Sequence, residues 1–146
     1  MSREPVDLAS PPCLLGELDP AWSGLGGPRI GLRRAYEPPG AGDGWRVLVD
    51  RLWPRGVAKA ALPLDDWMKA VAPSPGLRRW YGHDPARWEE FRRRYAAELA
   101  AAPEAVAPLV ARCRQGPVTL VFGARDVAHS HAVVLREHLL RRLAEG

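Results

Sequence analysis

Gly44-Trp45-Arg46-Val47-Leu48-Val49-Asp50-Arg51-Leu52-Trp53-Pro54-Arg55-Gly56 is the stretch that decides the fold. Val47, Leu48 and Val49 are consecutive and apolar, the pattern of a strand buried on both faces, and such strands occur in parallel sheets covered by helices. Read over Trp45 to Leu52, the strand ends in charge at Asp50 and Arg51, and Pro54 and Gly56 punctuate its exit. A second apolar run, Val118 to Phe122, follows Gly116 and Pro117 and passes at once into polar Gly123 to Asp126. The two runs are separated by a long crossover rich in helical signals. The pair is therefore expected to be parallel, in a small layered α/β fold with a short, mostly parallel sheet and flanking helices.

Outward from these strands, Ile30, Leu32 and Tyr36 alternate with basic residues as a half-exposed strand would, before a Pro/Gly loop from Pro38 to Gly44. Leu64 to Val71 reads as a short helix opened by Asp65 and Asp66 and stopped by Pro73. Ser74-Pro75 starts another helical turn through Trp80. Asp84-Pro85 is an N-cap followed by proline at the first helical position, and Trp88, Phe91, Tyr95 and Leu99 then recur at helical spacing. Val106, Leu109, Val110 and Cys113 mark a further helix that Pro108 should start late or bend. The last helix is read from about Ala128 to Leu143. Residues 1 to 28 hold five prolines and four glycines without sustained periodicity and read as an irregular tail, leaving residues 29 to 146 as a single α/β domain.

The chain has 146 residues, 47% hydrophobic and 26% charged, a composition suited to one globular core. Its apolar runs are far shorter than the roughly 20 residues that span a bilayer, and the first 30 residues carry no apolar signal region. A cytoplasmic location without membrane contact is expected. Cys13 and Cys113 are too few for a disulfide framework, and neither has a neighbouring acid or histidine in sequence to activate a thiolate. Residues 1 to 28 hold one arginine against four acids, so the formal charge of +4 leaves 20 basic residues against 13 acids, or +7, on the remainder. An excess of this sign favours anionic partners, small molecules first and nucleic acid second.

Ligands of open parallel sheets bind beyond the carboxyl ends of the strands. That rule selects Asp50, Arg51 and Arg55 after the first buried strand, and Arg125, Asp126, His129 and His131 after the second. Asp50, Asp126, His129 and His131 are the candidates for moving protons. Arg51, Arg55 and Arg125 are the candidates for holding an anion, with His83 before the Asp84-Pro85 cap and Trp53 as a wall. A structural explanation is also available, in which the Asp/Arg sets neutralise one another across the sheet edge. As metal ligands His129 and His131 would need a third and fourth donor, with His83, Asp50 or Asp126 as the candidates, but a His-x-His spacing is too common to assign a metal, and no cofactor is assigned. Five tryptophans, Trp45, Trp53, Trp67, Trp80 and Trp88, stand among arginines. Trp67 and Trp88 are assigned to the core, although aromatics beside arginine also stack nucleic-acid bases.

The Gly44 to Gly56 string, Gly82-His83-Asp84-Pro85 with Trp88 to Tyr95, and Gly116-Pro117-Val118-Thr119-Leu120 together resemble the YeaO-like proteins of the domain-of-unknown-function family 488, over residues 29 to 143. After the last strand that family's pattern runs aromatic, small, small, basic, Asp, then a His-Asn-His-like segment. Phe122-Gly123-Ala124-Arg125-Asp126 and His129-Ser130-His131 match it except at Ser130. The resemblance implies a fold and no particular reaction. The layout is also similar to that of rhodanese-like proteins, but the loop after Phe122 holds no cysteine, so sulfur transfer is not expected.

Two classes of function follow. One is a small enzyme acting on an anionic or phosphate-bearing metabolite through the strand-end Asp/Arg/His residues. The other is a non-catalytic basic domain that binds nucleic acid or protein. Arginines converging on the strand ends favour the first, and arginines spread along a helical face favour the second. A chain beginning at Pro28 is expected to keep its melting temperature within a few degrees, because the preceding segment cannot offset its own ordering entropy; a collapse of the thermal transition would show that Leu14, Leu15 or Trp22 completes the core.

Overall fold

Four short strands, β1 (Ile30–Arg34), β2 (Trp45–Leu48), β3 (Asp66–Trp67) and β4 (Val118–Phe122), lie in the order β1-β4-β2-β3, and every pair is parallel. The computed structural model describes residues 29–145, so the expected tail and Cys13 lie outside the described residues. β2 and β4 pair from Trp45 opposite Val118 to Leu48 opposite Val121, the parallel pairing read from their apolar runs. Beyond the last paired residue of β2, Val49 still donates its N–H to Val121 at 3.0 Å. Close approach at the start of this pair requires Gly44: its φ is +65°, and a Cβ there would run into the carbonyl of Pro117, which accepts the Trp45 N–H.

β4 is buried at every position because both faces of the sheet are covered. Val118, Leu120 and Phe122 point to one side, with Ile30, Val47 and Val49 beside them. This side is closed by α1 (Pro75–Tyr81), α2 (Trp88–Ala101), α3 (Pro103–Gln115) and α4 (His131–Glu145). Phe91, Tyr95 and Leu99, at helical spacing on α2, are buried against it, and Trp88 packs at its margin. Cys113 is buried there too, and burial pushes its thiol up to about 11. On the reverse side Leu48, Val121, Ala35 and Leu62 form a smaller apolar cluster under the loop that follows β2. It is continued by a buried ion pair network in which Asp43, 6% exposed, meets Arg33 at 3.0 Å and also Arg46.

Three expected elements differ in the structure. Leu64 to Val71 is not a helix: Asp66–Trp67 forms β3, and Lys69–Val71 is one 3₁₀ turn. The free edge of β2 explains this, since its backbone groups need partners. Asp65 donates its N–H to Arg46 at 2.7 Å while its carboxylate accepts the Arg46 N–H, and Met68 donates to Leu48. α3 starts at Pro103 and runs through Pro108, which forfeits only one bond of the ladder near its start. α4 begins at His131, because Ser130 is extended after a 3₁₀ turn over Val127–His129.

His138 on α4 is 8% exposed, and its Nε2 has no hydrogen-bond partner. Burial, with Arg141 and Arg142 nearby on the same helix and only Glu145 opposing, lowers its pKa below the ordinary imidazole value of 6.5. The folded state therefore resists a proton that the unfolded chain takes up, so stability is lost as pH falls through the window below 6.5. Urea unfolding between about pH 7 and about pH 5 is expected to show this loss, and His138→Leu should flatten it; an undiminished loss in the variant would assign the acid sensitivity elsewhere.

Candidate functional site

Asp50 leaves β2 at the carboxyl edge of the sheet and turns its side chain toward the end of β4. Its Oδ2 accepts the backbone N–H of Gly123 at 2.9 Å. A Cβ on Gly123 would stand 3.2 Å from that oxygen, so only glycine lets the two strand ends close without a shift. Oδ1 lies 3.1 Å from Nε2 of His131, the first residue of α4, but off the line of a hydrogen bond. That nitrogen lies 3.1 Å from the carbonyl of Val49 with hydrogen-bond geometry, and a carbonyl can only accept, so Nε2 carries a proton. The carboxylate then acts on the imidazole by charge, and Nδ1 is left accessible.

A second acid–imidazole pair lies in the turn before α4. Asp126 caps that turn by accepting the His129 N–H at 3.3 Å, and its Oδ2 holds Nδ1 of His129 at 2.7 Å. Orienting the ring this way leaves Nε2 open. Trp88 meets the ring edge-on at 5.2 Å, and Tyr81 donates its hydroxyl to the His129 carbonyl at 2.8 Å. Burial first, then Asp126 and Asp84, raises the Tyr81 pKa and keeps that donor protonated.

His129 and His131 open on one cleft of about 50 Å³, lined also by Arg78 and His83 and containing no carboxylate in its wall. Arg78 sits on α1, capped by Ser74 and ended by left-handed Gly82. His83 follows with a positive φ of 57°, a conformation few side chains adopt, which carries its imidazole to the cleft beside Tyr81. Asp84 caps the following 3₁₀ turn through Ala86, as the sequence suggested. Arg78 and Tyr81 escaped the sequence reading. Tyr81 had a visible signal, since Leu77 and Tyr81 are four apart and are the buried residues of α1.

The other sequence candidates do not gather there. Arg51 alternates to the opposite side of Asp50 and lines a separate cavity, with Nη2 3.4 Å from the carbonyls of Ala72 and Pro73. Trp53 is no wall of the cleft: it packs on the reverse side of the sheet, edge-on to Trp67 at 5.5 Å, and donates its indole N–H to Val57. Trp67 belongs to this reverse cluster rather than to a helix and donates to the Asp50 carbonyl at 2.7 Å. Arg55 and Arg125 are exposed. Arg55 contributes its backbone carbonyl to the Tyr36 hydroxyl. Among the described residues no three His, Cys, Asp or Glu side chains gather as metal ligands.

A family described as the inactive DUF488-N3 subclade matches residues 29–146. The chain belongs to the DUF488 family. Its DUF488 region is 39% identical to the uncharacterized protein YeaO of Escherichia coli over 110 residues, 75% of this chain and 96% of that protein. It is 45% identical over 111 residues to the uncharacterized proteins Mb3100c of Mycobacterium bovis and Rv3073c of Mycobacterium tuberculosis, covering 76% of this chain and 93% of each relative. No solved structure matches it. The segment that joins Phe122 to α4 in the DUF488 chain is held at Gly123 by Asp50. Replacing Asp50 with Ala leaves the Gly123 N–H without its acceptor and is expected to cost about 1–3 kcal/mol. Gly123→Ala should destabilise in the same direction through the Cβ clash. Equilibrium unfolding checks both; wild-type stability in Asp50→Ala would remove the carboxylate from this structural role.

Proposed function

We propose that this DUF488 chain is a binding domain rather than a catalyst, and that its ligand is a small anion of the phosphate class held in the cleft between α1 and the start of α4. The observation that carries the reading is the convergence of Arg78, His83, His129 and His131 on one cleft whose wall contains no carboxylate. His131, the first residue of α4, lines the same space, where the positive end of the helix dipole favours negative charge. Nothing in the cleft is an activated nucleophile: Ser130 is 2% exposed and donates its hydroxyl to the Val127 carbonyl at 2.8 Å. Membership of a subclade described as inactive supports the same choice.

Nucleic-acid binding is less well supported, because the aromatic faces that would stack bases are already covered. Arg87 and Arg94 lie over Trp80 at 5.3 and 4.4 Å, Arg112 over Trp45 at 4.5 Å and Lys69 over Trp67 at 4.2 Å. Many of the arginines are also spent on acids, as Arg93 and Arg94 are on Glu90, whose carboxyl they hold at about 2. One observation favours an acid–base enzyme as the second reading: the Asp126–His129 pair, with Nε2 open toward the cleft.

Inorganic phosphate, titrated at low ionic strength and followed by calorimetry and by the histidine ring resonances, is expected to bind saturably. Arg78→Ala should weaken it by about tenfold, near 1.4 kcal/mol, and added salt should weaken it further. An absence of saturable binding, or equal binding by the variant, would overturn the proposal. Turnover of a phosphorylated metabolite that disappears in His129→Ala would install the acid–base reading in its place.

A further inference from the structure

A second cavity, of about 190 Å³, lies where the segment before α1 meets α2 and α3. It is larger than the strand-end cleft, and both lie along α2, with Phe91 lining the cleft and Tyr95, one turn on, lining the cavity. Two opposite charges face it: Arg51, from the exit of β2, and Glu98, from α2. Among the described residues they do not reach ion-pair distance, and neither is neutralised by another charged side chain.

The state of each group is informative. The guanidinium is poorly satisfied: its Nε is buried without a partner, and Nη2 makes only the two 3.4 Å contacts to carbonyls. A carboxylate in the cavity would offer this group the forked pair of bonds that suits it best. Glu98 is firmly placed, because Ser74 donates both its N–H at 2.9 Å and its hydroxyl at 2.6 Å to the two carboxylate oxygens. Each oxygen keeps a further lone pair for a donor. Beside Ser74 and Tyr95 the wall is apolar, with Leu99, Ala102, Ala105 and Val106.

We propose that this cavity binds a small zwitterion, an α-amino acid with a short apolar side chain, with its carboxylate on Arg51, its ammonium on Glu98 and its alkyl group against Ala102, Ala105 and Val106. A bare carboxylate would meet Glu98 and a bare amine would meet Arg51, so only a ligand carrying both charges complements both residues. The volume matches roughly six waters, which is space for a molecule of the size of valine.

The full chain titrated with L-valine in a calorimeter is the test, beside 3-methylbutanoate, which lacks the ammonium, and 2-methylpropylamine, which lacks the carboxylate. Saturable valine binding is expected, with each analogue weaker by about tenfold or more, or about 1.4 kcal/mol. Glu98→Gln, which keeps oxygen and shape, should weaken valine to a similar extent. Ala105→Leu, which fills the cavity with an apolar side chain, should abolish binding while leaving the melting temperature undiminished and phosphate binding at the other cleft unchanged. No saturable binding of valine, equal binding of either analogue, or unchanged valine binding in Glu98→Gln or Ala105→Leu would each overturn the assignment.

Discussion

One carboxylate, that of Asp50, holds together three segments that the chain brings from far apart. It stands two residues past β2, it accepts the N–H of Gly123 where β4 ends, and it faces the imidazole of His131 where α4 begins. The parallel pairing of β2 and β4 puts the strand ends side by side, but backbone bonding between them stops at Val49 and Val121. Beyond that point the Gly123 amide has left the ladder and needs another acceptor. Asp50 supplies it, and in doing so fixes the direction in which the loop leaves β4 and delivers His129 and His131 to the cleft. Gly123 has the complementary role of leaving room for the oxygen.

A second carboxylate does the equivalent work at the opposite end of the strands. Asp43 accepts from Arg33, Arg46 and the Gly40 N–H, and its carbonyl accepts the Thr119 hydroxyl at 2.8 Å. Arg46 in turn donates to the Pro63 carbonyl at 2.8 Å, which ties the loop over the reverse face. Removing one partner from such a buried set leaves an uncompensated charge, a cost of about 3–5 kcal/mol, whereas an apolar replacement of the whole set is often neutral. The network is therefore better understood as fixing the path of the loops than as a source of net stability.

These two centres explain what the sequence made legible. The strands β2 and β4 were readable because a run such as Val47-Leu48-Val49 can be buried only inside a covered sheet, and α2 was readable because Asp84-Pro85 and the Phe91, Tyr95, Leu99 spacing are local signals. Leu64 to Val71 was misread because its local signals do point to a helix. Asp65 looks like a residue for a helix N-terminus, and only the neighbouring edge of β2, distant in sequence, turns it into a strand partner. Arg46 gave no warning of burial, since its acceptors at Asp43 and Pro63 are set by loop geometry. Of the site, the histidines and Asp50 and Asp126 were legible from their places after the strands. The divergence of Arg51 from Asp50 was not, because which of two successive residues enters the cleft depends on how the chain twists as it leaves the sheet.

Charge at both strand ends admitted two explanations, a ligand site or pairs of ions within the scaffold. The geometry divides the charges between them by type. Asp50 and Asp126 are engaged with backbone N–H groups and imidazoles, so neither presents a free carboxylate to the cleft. The arginines next to them in sequence, Arg51 and Arg125, do not enter the cleft at all. What does enter is imidazole, anchored on one nitrogen in His129 and His131 and open on the other, with the Arg78 guanidinium opposite. The acids thus face the histidines rather than a ligand: Asp126 fixes the ring nitrogen that His129 offers, and the Val49 carbonyl, with Asp50 beside it, does so for His131. Proton transfer at such a cleft would need a reacting group brought by the ligand itself, whereas holding an anion needs only what the wall already contains.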